Sequence, residues 1–122
     1  MNSQNVVVLG ASPKPERYSN QAVLQLVEHG HTVYPIHLTC DSIYEQACYK
    51  SLADVPVPVD TLSLYVGPKR SAELLDAILQ LNPKRIIMNP GTESDLIETE
   101  ATQKDIEVIR GCTLVMLRTQ QF

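Results

Sequence analysis

Residues Val6 to Leu9 form an unbroken apolar run, three valines and a leucine, that ends on Gly10. A short run rich in β-branched side chains fits a strand buried on both faces, the kind a parallel sheet requires. Gly10 permits a sharp turn and the close approach of another group. A polar loop follows, with two prolines, Lys14 and Arg17. Ser19 or Asn20 is the expected cap of a helix over Asn20 to Glu28. Ala22, Val23, Leu26 and Val27 share one face of it, and Gly30 sits where a C-cap is expected. A strand that turns through glycine into a helix N-terminus is an anion-binding arrangement, because free N–H groups and the helix dipole point at one spot.

The rest of the chain repeats the alternation. Thr32 to Leu38 reads as the second strand, with Pro35 near its end or at a sheet edge. The polar segment DSIYEQACY leads to a short helix over Ser51 to Asp54. Thr61 to Val66 is the third strand, broken by Gly67-Pro68. Ala72, Leu75, Ile78 and Leu79 stripe a helix over Ser71 to Leu81, which Asn82-Pro83 stops. Arg85 to Met88 is the fourth strand. Thr92 and Asp95 have capping-box spacing for a helix reaching about Lys104. Ile106 to Ile109 is the fifth strand, and the apolar stretch after Cys112 fits either a strand or a short helix.

Strands alternating with helices mean βαβ units, so the expected fold is α/β, doubly wound, with a five-stranded parallel sheet between two helical layers. Ligands on such sheets bind past the strand C-termini, where the strand order reverses. That rule gathers four loops around one cleft: residues 10–19, 37–41, 66–70 and 89–92.

Composition narrows the function. A length of 122 residues suits one domain spanning 1–122, and 43% hydrophobic residues suffice for a core. The net charge of -4 and the lack of a basic run disfavour nucleic acid and membrane surfaces as partners. No apolar stretch approaches the roughly 20 residues of a membrane span. The opening MNSQN has no signal-like pattern, so the cytoplasm is the expected compartment. Cys40, Cys48 and Cys112 are odd in number and lack CxxC spacing, which favours reduced, buried thiols over a disulfide or a zinc site. HExxH, GxSxG and P-loop patterns are missing. Ser12 has no evident base, and His29 and His31 should face water. Only His37 should reach the cleft. Neither a catalytic set nor a metal site is expected.

Charge patterning separates the loops. The first helix has no acid in its first turn, whereas Glu93 and Asp95 complement the dipole of the helix after Thr92. A phosphate should therefore choose the first helix, with Lys14 and Arg17 beside it. Lys69 and Arg70 open the helix after the third strand, either for a ligand phosphate or as solvated surface charge. The first loop lacks the G-x-G-x-x-G fingerprint of dinucleotide sites.

The stretch GASPKPERYSN resembles the GAS-x-x-P-x-R-x-S loop of small stand-alone CoA-binding proteins. These are bacterial single-domain relatives of the CoA-binding domain of the succinyl-CoA synthetase α subunit. NPGTES at Asn89 to Ser94, CTLVML at Cys112 to Leu117 and ACYKSLADVP at Ala47 to Pro56 look like the corresponding later segments. The resemblance implies a Rossmann-like fold binding the nucleotide ligand coenzyme A or an acyl-CoA. It implies phosphates on Gly10, Ala11, Ser12 and Arg17, with Lys14 and Ser19 in the same loop. The segment from Val66 and Gly67 to Arg70 would border the adenosine, and Asn89, Pro90 and Gly91 would line the opposite wall. Many relatives have asparagine where this chain has His37, near the expected ribose or 3′-phosphate. An NAD site would place an acid there, and here the strand ends His37-Leu38-Thr39. His37 is expected to donate to the phosphate, more strongly when protonated. Two other readings stay open: an NAD(H)-binding redox sensor or dehydrogenase-like protein, and the non-catalytic half of a CoA ligase or transferase. A homodimer or another protein partner also stays open.

Overall fold

Val6, Val7 and Val8 are fully buried, as the unbroken apolar run requires of a central strand. The computed structural model describes residues 2–122. In chain order the elements are β1 (Asn5–Leu9), α1 (Tyr18–Glu28), β2 (Thr32–Ile36), β3 (Ser42–Ile43), β4 (Gln46–Ala47) and a 3-10 turn (Leu52–Asp54). They continue with β5 (Thr61–Leu64), α2 (Pro68–Glu73), α3 (Leu75–Leu81), β6 (Arg85–Met88), α4 (Asp95–Gln103), β7 (Glu107–Arg110) and α5 (Thr113–Arg118). The main sheet has five parallel strands in the order β2-β1-β5-β6-β7, and β3 and β4 form a separate antiparallel hairpin.

Strand period two sorts the core into two layers. Val7, Leu9, Leu62, Leu64, Ile86 and Met88 face one side, where Ile78 of α3 and Ile97 and Ala101 of α4 pack. Val6, Val8 and Ile87 face the other side, against Val23 and Leu26 of α1 and Leu117 of α5. Each fully buried Leu, Ile or Val contributes about 1.5–3 kcal/mol of transfer free energy. The result is the expected doubly wound, Rossmann-like three-layer sandwich. Pro35 lies on edge strand β2, opposite Val8. Its carbonyl accepts from Tyr49 N–H on the outer side, the side its missing donor would also face.

Several local expectations need correction. The DSIYEQACY segment is the β3–β4 hairpin. Its tip places Tyr44 and Glu45 at φ 49° and 66°, a geometry usually announced by Asn or Gly. The helix expected over Ser71 to Leu81 starts earlier, at Pro68, and divides at Leu74. There the Leu74 N–H bonds the Ser71 carbonyl, tightening the turn. The cap of α4 is Ser94, whose hydroxyl accepts from Ile97 N–H at 3.2 Å. Thr92 is occupied elsewhere, donating its hydroxyl proton to the Asn89 carbonyl. The open stretch after Cys112 is helix α5. The three cysteines are free and half-buried rather than buried. Among the described residues no helix is long and apolar enough to cross a membrane.

His31 also departs from expectation. It is buried, its Nδ1 accepts from Gln4 N–H at 3.1 Å, and its ring lies 5.0 Å from Phe122. The Arg85 guanidinium sits 4.5 Å over the same Phe122 ring. Burial first, then the charges of His29 and Arg85, hold the His31 pKa below its ordinary 6.5. The unfolded chain therefore takes up this proton first as pH falls. Stability should be indifferent to His31 well above pH 6.5 and should drop below it, down to the lowered folded value. Thermal melts across about pH 8 to pH 5 test this. The midpoint should fall toward acid, and His31→Gln should flatten that part of the profile. An equally steep profile in the variant would contradict the assignment.

Candidate functional site

The strand order reverses between β1 and β5: the chain leaves β1 for β2 on one side, then returns to add β5 on the other. A crevice at such a switch point lies outside the carboxyl ends of the two strands. Residues 10–17 and 65–67 are the loops that leave those ends.

Gly10 makes the close pairing there possible. Its φ is +93°, and a Cβ on it would lie 3.0 Å from the Tyr65 carbonyl carbon and 3.0 Å from Val66 Cγ1. Its bare Cα is thus a packing requirement of the loop against the end of β5. Ala11 is buried, and Ser12 Oγ accepts from Lys14 N–H at 3.1 Å. Among the described residues nothing accepts from the Ala11 or Ser12 N–H. The N-cap of α1 is Arg17, exposed, with no side-chain cap bond and no acid in the first turn. Neither Ser19 nor Asn20 is the cap, since both are buried inside the first turn. The first N–H groups of an eleven-residue helix thus remain open to an anion.

Asn20 has a role that its residue type in the apolar stripe could have signalled. Its Nδ2 donates to the Ser12 carbonyl at 2.9 Å, and its Oδ1 accepts from the Tyr44 hydroxyl. The hairpin tip and α1 together hold the first loop. His37 closes the end of β2: its Nδ1 accepts from Thr39 N–H at 3.2 Å and from Cys40 N–H at 2.9 Å. Two donors aimed at Nδ1 leave the proton on Nε2, so His37 offers a donor as a neutral ring.

Val66 is half-buried beside Gly10, Gly67 caps α2, and Arg70 is exposed. Asn89 is buried, and its amide is fully used within the protein. Nδ2 donates to Ser63 Oγ at 3.1 Å and the Leu64 carbonyl at 2.8 Å, while Oδ1 accepts from Thr113 N–H at 2.8 Å. Ser63 and Thr113 hydroxyls bond each other at 2.7 Å. Asn89 therefore pins β5, β6 and α5 together, and its side chain is not free for a ligand. Pro90 and Gly91 are exposed, with Gly91 at φ +91°. The Gly91 N–H already donates to the Glu93 carboxylate at 3.0 Å.

A cavity of about 860 Å³ opens beside this rim, between α1 and α5. Tyr65, Asn89, Pro90 and Cys112 line it at the sheet end, and Tyr18, Leu24 and Leu114 along the helices. His29 and Arg118 stand farther along the same walls. Sequence reasoning missed this cavity, because it arises from the spacing of two helices far apart in the chain.

The model of the CoA binding domain matches residues 4–118, and the chain belongs to that family. A crystal structure of an uncharacterized protein has a TM-score of 0.94 at 34% identity and covers 100% of both chains. The apo form of the dinucleotide-forming acetyl-coenzyme A synthetase 1 of Ca. Korarchaeum cryptofilum is similar in part. There the TM-score is 0.73 at 25% identity, covering 88% of this chain and 26% of that one. Uncharacterized protein YneT of Bacillus subtilis is 23% identical over 99 residues, 81% of this chain, and the chain spans 60% of that relative's length.

Gly10 and Gly91 share a positive φ but differ in room: nothing lies within 4 Å of a Cβ on Gly91. Gly91→Ala should lose about 1–2 kcal/mol of stability from backbone conformation alone. Gly10→Ala should lose more, because overlap with Tyr65 and Val66 adds to that strain. Denaturant titration of both variants measures the difference. Equal losses would contradict the packing role of Gly10.

Proposed function

We propose that this chain binds coenzyme A or an acyl-CoA, with the pyrophosphate on the first loop and the N-terminus of α1. The observation that carries the reading is the unpaired Ala11 and Ser12 N–H groups beside an uncompensated helix N-terminus at the switch point. Arg17, at the cap, reaches the phosphates, and Lys14 adds a second cation. His37 Nε2 donates toward the ribose phosphate. Val66 and Gly67 border the adenosine. Pro90 and Gly91 form the opposite wall, which Asn89 positions from behind rather than touching the ligand. The reading is one of binding, and no reaction is assigned to the chain.

The strand-two end favours CoA over NAD. A carboxylate there would accept from the ribose hydroxyls of NAD and repel a ribose phosphate. This chain has His37 at that place. A second reading draws on the acetyl-coenzyme A synthetase likeness, in which a similar unit is 26% of a longer chain. On that reading the protein is the CoA-binding part of a ligase completed by another chain, and a stable partner should co-purify with it.

Calorimetry with CoA, dephospho-CoA and NAD tests the main reading. CoA should bind more tightly than dephospho-CoA, and NAD should be the weakest. Arg17→Ala should weaken CoA binding by about 1.5–3 kcal/mol, the range for a hydrogen bond to a charged group. Its melting temperature should be unchanged, since the side chain is exposed. Tighter binding of NAD than of CoA would overturn the reading.

A further inference from the structure

We propose that Cys40 and Cys48 are a redox couple: a disulfide between them closes the base of the β3–β4 hairpin and fixes the hold of that hairpin on the first loop. The cross-link stands apart from the CoA reading, whereas its consequence for the ligand rests on that reading.

The hairpin is a weak element with two anchors. Its strands have two residues each, and its tip carries Tyr44 and Glu45 in the left-handed region. Such a ribbon is marginal on its own, and each left-handed residue with a side chain adds strain. At the tip, the Tyr44 hydroxyl donates to Asn20 Oδ1, and Asn20 Nδ2 donates to the Ser12 carbonyl. At the base, the Cys40 N–H donates to His37 Nδ1, the Cys48 N–H to the Asp41 carbonyl and the Tyr49 N–H to the Pro35 carbonyl of β2. The hairpin therefore reaches from the end of β2 to the first loop.

Cys40 and Cys48 flank that base. Both are half-buried, and both pack against the same core layer as Val8, Leu26 and Ile43. The Cys40 thiol donates to the Ser42 carbonyl at 3.1 Å, an exposed bond that cross-linking gives up. Burial first, then Cys40, then Asp41 push the Cys48 pKa up to about 11. The Cys48 thiolate is thus disfavoured, and the reduced pair lacks the stabilisation that makes a disulfide easy to reduce.

The co-reactant is a small-molecule disulfide. The Cys40 thiolate attacks one of its sulfurs, forms a mixed disulfide and expels one thiolate, which takes up a proton. Cys48 gives its proton to solvent and attacks the Cys40 sulfur, and the second small thiolate leaves and is protonated. The S–S bond of the co-reactant is reduced to two thiols, and the two cysteines are oxidised to one disulfide.

The probe is oxidised glutathione, applied to the wild type, Cys48→Ser and Tyr44→Phe. Alkylation mapping, melting curves and CoA calorimetry read the products. In the wild type the three free thiols should fall to one, Cys112, and the intact mass should drop by two hydrogens. Oxidation should raise the melting temperature by about 5 °C or more. CoA should bind the oxidised form more tightly by about threefold or more, because the loop is ordered in advance. Tyr44→Phe should form the cross-link as before and lose that gain in affinity. Cys48→Ser should keep a glutathione on Cys40 and show neither change. Separate glutathione adducts on Cys40 and Cys48, or three thiols that survive the oxidant, would overturn the proposal. A cross-link that leaves CoA affinity unchanged would overturn its hold on the first loop. If CoA binds neither form, the CoA reading falls. Hydrogen exchange of the Asn20 side-chain amide then decides the hairpin proposal: it must slow on oxidation in the wild type and not in Tyr44→Phe.

Discussion

The contact between Gly10 and the end of β5 governs the site. A side chain on Gly10 would reach within 3.0 Å of the Tyr65 backbone, so β1 and β5 can end side by side only with glycine there. These are the two strands between which the chain reverses its direction of winding. Their close pairing opens the first loop on one side and turns the Tyr65 side chain toward the α1–α5 cavity on the other. Behind them the Asn89 amide spends all its polar capacity on Ser63, Leu64 and Thr113. A buried amide so satisfied stiffens the rim, and removing either end would strand a buried donor or acceptor.

Electrostatics then distinguishes loops that look alike in outline. Both the first and the last loop leave a strand and enter a helix. In the last one, Glu93 occupies the Gly91 N–H, and Asp95 and Glu98 stand in the first turn of α4. Arg110 pairs with both of those acids at 2.7 Å. That helix end is already neutralised. The first turn of α1 has no acid, and its cap residue is an arginine. An anion arriving at the rim meets an open donor set at one loop and a carboxylate at the other, and the helix dipole adds to the contrast.

Much of this was legible in the residues. Arg85 to Met88 is bounded correctly because Pro83 and Asn89-Pro90 enclose a short β-branched run, and Pro35 pointed to a strand's end or a sheet edge, both of which hold in β2. The hairpin was not legible, because its tip carries Tyr44 and Glu45 in the left-handed region, where no glycine or asparagine gives notice. His31 looked like a surface residue beside a helix end, yet the C-terminal Phe122 folds back over it, a contact no local pattern contains. At the site, the open end of α1 followed from the missing acid in its first turn. The role of Asn89 did not follow, because a motif match places a residue near a ligand without saying which way its amide points. The α1–α5 cavity depends on packing between helices separated by most of the chain, and periodicity does not report it.

Amide chemical shifts recorded during a CoA titration test the central claim most directly. Binding at the switch point should move the resonances of Gly10, Ala11, Ser12 and Tyr18 first and furthest, with Gly67 and Gly91 following. The N-terminal ends of the strands, around His31 and Arg85, should stay still. Shifts concentrated at His31 and Arg85, with the first loop unmoved at saturation, would contradict the account.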